Sequence, residues 1–138
     1  MARYLPMALV AFAFLTAVVS HAGGEKDFAF KGKLTKDDPK DQARGGPSQF
    51  HAIKLKAGKA YTIHMASAAF DSYLRLQDAK GKQLAEDDDS GGGLNAQIVF
   101  NCTADGEYRV VCTTFGASPG GDYSLTVKTA SAVQPPST

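Results

Sequence analysis

The residues best suited to chemistry form a run of carboxylates followed by glycines. Glu86–Asp89 precedes Ser90 and the three glycines Gly91–Gly93. Adjacent carboxylates repel one another by roughly 1 kcal/mol at 4 Å even in water, and a hard cation relieves that repulsion. Calcium takes about six to eight oxygen ligands, which a glycine-rich loop brings together by bending. This segment therefore predicts a calcium site, whose candidate ligands are Asp87, Asp88, Asp89, Asp71 and Asn95.

The same carboxylates also have a simpler interpretation. They would then only solvate an exposed loop and keep a sheet edge from pairing with another chain. The spacing is not that of an EF-hand, because Gly91 takes the fifth position from Asp87 and Ile98 stands where a bidentate Glu is required. Asp71 has a second candidate role, as an Asx turn or backbone cap at the start of a strand. The sequence leaves both interpretations open.

The two cysteines are candidates for a disulfide. Cys102 and Cys112 each share strand parity with apolar neighbours, so both are predicted to point into the core. A bridge would stabilise the fold by on the order of 2 to 3 kcal/mol, whereas two buried thiols would act as small hydrophobic side chains. Neither alternative is excluded by the spacing, which is not that of a C-x-x-C metal or redox motif.

The histidines argue against catalysis. His64 lies on an outward parity, while His51 shares parity with Ile53 and Leu55, where a hydrogen-bonded core or edge histidine is expected. The sequence contains no Gly-x-Ser-x-Gly elbow, His-Glu-x-x-His pair or P-loop. We therefore predict a protein that is not an enzyme, with an undescribed hydrolase that uses His51 as the alternative.

The first 22 residues are predicted to be a cleaved signal peptide. Arg3 gives a basic start, residues 8–19 form an apolar run, and Ser20-His21-Ala22 places small residues where signal peptidase cuts, before Gly23. The run is shorter than the roughly 20 residues of a spanning helix, so an uncleaved anchor is the weaker alternative. We expect a secreted or periplasmic protein with no membrane span after cleavage.

Composition restricts the partners. The chain of 138 residues has 15 basic and 14 acidic side chains and is 43% hydrophobic, which suits one ordinary domain. Its lysines are scattered among carboxylates, so the basic stripe that a nucleic-acid partner requires is missing. We therefore expect no nucleic-acid binding.

The elements that must position these residues are short strands. Apolar and polar residues alternate with a period of two, without a sustained apolar face at helical spacing. The alternating segments are 28–34, 51–55, 61–65, 73–77, 97–101, 108–112 and 123–128, and a brief strand near 83–86 brings the count to eight. They predict an all-β, jelly-roll-like antiparallel β-sandwich of about eight strands over residues 23–128, joined by hairpin-like turns. Residues 36–48 are expected to form a polar loop, and residues 129–138 a disordered tail.

Four segments carry a resemblance to a known family. Residues 53–63, 70–76, 86–93 and 104–110 resemble, in order and spacing, the bacterial pre-peptidase C-terminal (PPC) domain. The resemblance extends from about Lys31 to Lys128. It implies a non-catalytic sandwich of the kind appended to secreted peptidases and similar to the collagen-binding domains of clostridial collagenases, and several relatives bind calcium. Here we expect the domain to follow a signal peptide directly, without a catalytic neighbour.

These observations predict a secreted, non-catalytic binding or accessory module. It would engage an extracellular polymer or protein surface, with calcium stiffening its loops. Tyr73, placed on an outward parity, and the segment from Phe115 to Tyr123 are the candidate contacts. The alternative is a chaperone-like or inhibitory partner of a separately encoded secreted peptidase.

Overall fold

The computed structural model describes residues 27–130, which form eight antiparallel strands in two sheets of four. The predicted all-β sandwich is confirmed. The predicted signal peptide (1–22) and the tail beyond Ala130 lie outside the described residues, and no helix within residues 27–130 is long and apolar enough to cross a membrane. The strands are β1 (Phe28–Leu34), β2 (Ser48–Leu55), β3 (Ala60–Ala66), β4 (Ser72–Asp78), β5 (Gln83–Asp87), β6 (Ala96–Asn101), β7 (Gly106–Thr114) and β8 (Gly121–Ala130).

The strand order is that of a jelly roll. The first sheet runs β1-β8-β3-β6 and the second β2-β7-β4-β5, so the chain passes from one sheet to the other at almost every connection. Only β4 and β5 are both consecutive in the chain and paired in a sheet within the described part of the molecule. The prediction of hairpin-like connections was therefore wrong, because a glycine turn permits reversal of the chain but does not determine which sheet the next strand joins.

The β4–β5 turn shows how local chemistry fixes the one hairpin. Asp78 Oδ1 accepts hydrogen bonds from the backbone N–H groups of Lys80 and Lys82, both at 2.9 Å. Gly81 takes a φ of 89°, a left-handed conformation that costs glycine little. This turn brings β5 back beside β4, so that the carboxylates at the end of β5 lie at the edge of the second sheet.

The core consists of the inward-facing residues of both sheets. Alternate residues of each strand point inward, as the period-two pattern predicts, and each aliphatic side chain buried in this way contributes about 1.5 to 3 kcal/mol. The most deeply buried are Leu34, Ile63, Met65, Leu74, Leu76, Val110 and Leu125. This core holds two rigid sheets whose outer faces and loops are available for function.

Both cysteines lie in this core, as predicted, and both are free thiols. Cys102 follows β6, and its Sγ lies 3.2 Å from the Ala104 carbonyl oxygen and 3.5 Å from Tyr108 Oη. Cys112 lies opposite Leu74 in the middle of the second sheet, and complete burial raises the pKa of its thiol well above the usual range. Of the two alternatives left open by the sequence, this structure contains the pair of buried thiols.

Candidate functional site

The carboxylates of the acidic loop (residues 86–95) divide into two groups. Asp87, at the end of β5, is a structural cap: its Oδ2 accepts from the backbone N–H groups of Ser90 and Gln97, both at 2.9 Å, and its Oδ1 accepts from Ser90 Oγ at 2.6 Å. Burial alone would raise the pKa of Asp87, but these hydrogen bonds hold it below its ordinary value. Both oxygens of Asp87 are therefore already used by the loop.

The remaining carboxylates repel one another. Burial, followed by the charge of Asp88, raises the pKa of Asp71. A hydrogen bond and charge repulsion, both from Asp88, raise the pKa of exposed Asp89. Asp71 Oδ1 is buried without a hydrogen-bond partner, and it is the backbone carbonyl of Asp71 that accepts from Phe115 N, at 2.8 Å. The side chain of Asp71 thus does not form the backbone cap suggested by the sequence.

The predicted calcium ligands are only partly brought together. Asp71, Asp88 and Asp89 are close enough to interact, whereas Asn95 Oδ1 accepts from Ser67 N at 3.3 Å. Within residues 27–130, no group of three or more His, Cys, Asp or Glu side chains is arranged to hold a metal ion. The acidic loop therefore concentrates negative charge without forming a ready coordination shell.

The predicted contact aromatics are mostly covered. Tyr73 does face away from the core, but only 6% of it is exposed, because Arg44 lies 4.3 Å over its ring and Phe115 packs beside it. Its hydroxyl donates to Glu86 Oε1. Tyr123 is also buried, at the other end of the predicted contact segment, and only Phe115 is substantially exposed. The predicted surface roles of Tyr73 and Tyr123 were therefore wrong.

Tyr73 is covered because the polar loop folds back over the second sheet. In this covering loop (residues 35–47), Asp41 forms an ion pair with Arg75 of β4, and their side chains are only 1% and 14% exposed. Asp41 Oδ2 also accepts from the backbone N–H groups of Ala43 and Arg44, at 3.1 and 2.8 Å. One carboxylate thus shapes the loop and fixes it to the sheet, although Arg75 Nε remains buried without an acceptor.

A groove of about 510 Å³ runs between the covering loop and the second sheet. We call it the loop–sheet groove. Phe50 of β2 stands at its edge with 57% of its surface exposed, and the guanidinium of Arg109 lies 4.8 Å from the centre of the Phe50 ring. The floor and wall also include Lys40, Gln77 and Val111. Exposed aromatic and arginine side chains are the types that contribute most to protein interfaces.

The loop–sheet groove has two cations, Lys40 and Arg109, that no carboxylate of residues 27–130 neutralises. Across the sheet, Arg109 lies opposite Ala52 of β2 and Gln77 of β4, neither of which is charged. Lys40 Nζ reaches only the carbonyl oxygen of Lys36, at 3.3 Å. Among the described residues, neither cation has a carboxylate within ion-pair distance, whereas Arg75 has Asp41. The groove therefore combines an exposed ring with two unpaired cations.

His51 lines the inner side of this groove and belongs to a chain of hydrogen bonds between the sheets. Tyr123 Oη donates to Gln49 Oε1 at 2.7 Å, so His51 Nε2–H is the donor in its 2.8 Å contact with Tyr123 Oη. Gln49 in turn donates to Asp38 Oδ2 at 3.1 Å. Burial lowers the pKa of His51. The predicted hydrogen-bonded histidine is confirmed. Its hydrogen bond to Tyr123 connects β2 of the second sheet with β8 of the first sheet.

Sequence reasoning missed the main features of the groove. Phe50 was detectable in principle, because it is a large apolar residue on the parity that Ala52 and Lys54 share, opposite to inward Ile53 and Leu55. Asp41 gave no such signal, since its partner Arg75 lies 34 positions away in sequence. An ion pair over that distance depends on the fold.

Comparisons with known proteins identify the fold. No protein-family model matches the sequence, and a search of curated proteins finds no match. The pre-peptidase C-terminal domain of a collagenase from Bacillus anthracis superposes with a TM-score of 0.56 at 16% identity, over 74% of this chain and 89% of that domain. PliG from Aeromonas hydrophila, a periplasmic inhibitor of g-type lysozyme, superposes with a TM-score of 0.57 at 18% identity, over 81% of this chain and 93% of PliG. The resemblance to the PPC domain is thus confirmed for the fold.

Proposed function

We propose that the protein is a non-catalytic binding module that acts outside the cytoplasm and docks on a protein partner through the loop–sheet groove. The observation that carries this proposal is the exposed ring of Phe50 beneath Arg109 at the edge of a preformed groove. Export is supported by the N-terminal segment, and accessory binding by the fold shared with a collagenase domain and a lysozyme inhibitor. An extracellular polymer is the competing ligand.

The test places a photo-crosslinking amino acid on each outer face of the sandwich. Ala52 is exposed beside Phe50 on the second sheet, and Ala29 is an equally exposed alanine on the first sheet. In the producing cells, we expect a discrete protein adduct from position 52, none from position 29, and loss of the adduct when Phe50→Ser is added. Adducts from both faces, or from neither, would refute the proposal. Co-sedimentation with cell-wall or matrix polymer that Phe50→Ser does not affect would favour the polymer.

A second candidate function is inhibition of a secreted hydrolase, either a peptidase or a lysozyme. The likeness to PliG, a lysozyme inhibitor with which the chain shares nearly its whole described fold, supports it. Purified g-type lysozyme and the peptidases secreted by the same cells would be assayed with the wild-type protein and with Phe50→Ser. Inhibition by the wild type that the variant lacks would support this function, and unchanged activity of every enzyme would exclude it for that set.

We further propose that calcium stabilises the acidic loop. Support comes from the mutual repulsion of Asp71, Asp88 and Asp89 and from the unpartnered Asp71 Oδ1. A ligand that binds only the folded state stabilises it by about 2.7 kcal/mol at a hundredfold excess over Kd. Calcium should therefore raise the melting temperature of the wild type, but not that of a variant with all three aspartates changed to asparagine. A wild-type melting curve that neither calcium nor chelator moves would contradict the proposal.

A further inference from the structure

The charge of the loop–sheet groove restricts what it can bind. Lys40 lines the groove, and Arg109 stacks on Phe50 at its edge. Neither cation has a carboxylate partner within the described residues. The nearest acid in the groove, Asp41, is buried and already paired with Arg75. A cationic segment would be repelled by this surface, whereas an anionic one would find two cations that no carboxylate of the described residues neutralises.

The groove also offers an apolar contact that water covers poorly. More than half of the surface of Phe50 is exposed, and Val111 continues the apolar floor beneath the covering loop. The stacked guanidinium of Arg109 holds one face of the ring and leaves less of its surface to be desolvated on binding. A ligand that carries only charge would leave this ring in water.

The dimensions suit an extended peptide. The groove crosses β2, β7 and β4, through Phe50, Val111 and Gln77. Two strand spacings correspond to about 10 Å, which an extended chain of about three residues spans at 3.3 Å per residue. Phe50 and Arg109 therefore lie within reach of neighbouring side chains of one bound segment.

We propose that the loop–sheet groove binds an acidic protein segment that places an apolar or aromatic side chain on Phe50 and carboxylates on Arg109 and Lys40. This inference rests on the proposed function, because it describes the partner of that same groove. It also specifies a recognition rule, in which the negative charge and the apolar contact each contribute to affinity.

The test compares three synthetic peptides that differ in one property each. Acetyl-Glu-Asp-Phe-Asp-Glu-amide is the expected ligand, the same peptide with lysine at every acidic position reverses the charge, and the same peptide with alanine for phenylalanine removes the ring. Each is titrated into the ¹⁵N-labelled protein. We expect the first peptide to shift the amide signals of Phe50, Val111 and Gln42, to bind about fivefold more tightly than the alanine peptide, and to lose affinity at high salt. The lysine peptide should cause no saturable shift.

Matched variants assign the binding to these residues. Lys40→Gln combined with Arg109→Gln should weaken binding of the acidic peptide by about fivefold to tenfold. Lys31→Gln combined with Lys33→Gln removes the same charge from the first sheet and should leave binding unchanged. Equal binding of the lysine peptide, shifts centred on the first sheet, or no saturable binding of the acidic peptide would each overturn the inference.

The outcomes separate this inference from the proposed function. If position 52 crosslinks to a partner that the acidic peptide does not displace, the module binds protein but the recognition rule is wrong. If the acidic peptide binds and no partner crosslinks, the recognition rule stands and the proposed function fails. Concentration-dependent self-association that the acidic peptide disrupts would instead identify a second copy of this chain as the partner and overturn the assignment to a different protein.

Discussion

The acidic loop and the covering loop are both rich in aspartate and glycine, but their carboxylates interact with different kinds of partner. In the acidic loop, Asp87 caps the nearby backbone N–H groups of Ser90 and Gln97, whereas Asp88 and Asp89 repel one another. The covering loop places its key carboxylate, Asp41, against an arginine 34 positions away. The repulsion among Asp71, Asp88 and Asp89 opposes folding, whereas the ion pair of Asp41 with Arg75 fixes the covering loop to the second sheet. Whether a carboxylate in a loop raises or lowers the stability of the fold therefore depends on the groups that it contacts.

The largest effect is expected where the covering loop is fixed to the sheet. Asp41→Ala should lower the free energy of unfolding by about 3 kcal/mol, because it leaves Arg75 buried without its partner and removes the acceptor for two backbone N–H groups. Chemical denaturation with urea measures this change. Asp88→Ala, in the acidic loop, is the control and should not destabilise the protein.

A double-mutant cycle shows whether the unpaired Arg75 causes the loss of stability in Asp41→Ala. Replacing Arg75 by methionine in the Asp41→Ala background should recover part of the stability, since an apolar pair avoids the unpaired buried charge. If Asp41→Ala costs less than about 1 kcal/mol, the ion pair behaves as an exposed one and the covering loop is not fixed as we infer.

The sequence was sufficient to predict the strands, but it was not sufficient to predict which of their outer side chains are exposed. Period-two alternation located seven of the eight strands, because burial of one face between two sheets imposes that period on a strand. The same rule placed His51 inside, but it also placed Tyr73 in solvent, because parity gives the face of a strand and not what lies over that face. The cover on Tyr73 comes from Arg44, a residue of a loop that composition alone describes as polar. The sequence therefore predicts the two sheets, whereas the ion pair that holds a loop over one of them can be identified only from the structure.

Acidification should lower the stability of the fold through protonation of His51 beside the loop–sheet groove. Burial lowers the pKa of His51 below its ordinary value of 6.5, so the unfolded chain takes up a proton that the folded protein resists. Stability is therefore full above pH 6.5 and falls as the pH drops towards the folded-state pKa, by at most about 1.4 kcal/mol per pH unit for one group. The measurement is urea denaturation at a series of pH values between 7 and about 5.

Two variants test whether His51 is the source of this pH dependence of stability. His51→Gln keeps a donor for Tyr123 and should remove the loss of stability in this range, whereas His64→Gln should retain it. Asp71 and Asp89 act in the opposite direction at lower pH, because their raised pKa values mean that protonation relieves their repulsion. An unchanged pH profile in His51→Gln would show that the hydrogen-bonded chain at the groove does not control acid stability.

The smallest effect should distinguish neighbouring carboxylates within the acidic loop. Asp88→Asn removes a charge that disfavours ionised Asp71 and Asp89, so it should raise the free energy of unfolding slightly, by less than about 0.5 kcal/mol at pH 7. Asp87→Asn makes the same chemical change one residue earlier but disturbs a cap for Ser90 and Gln97, and it should lower stability by about 1 kcal/mol. Because the Asp88 effect is mutual repulsion near the surface, 1 M salt should abolish it and leave the Asp87 effect in place. Equal and negative changes for both variants would mean that the whole acidic run is structural, and that no charge there is left for calcium to neutralise.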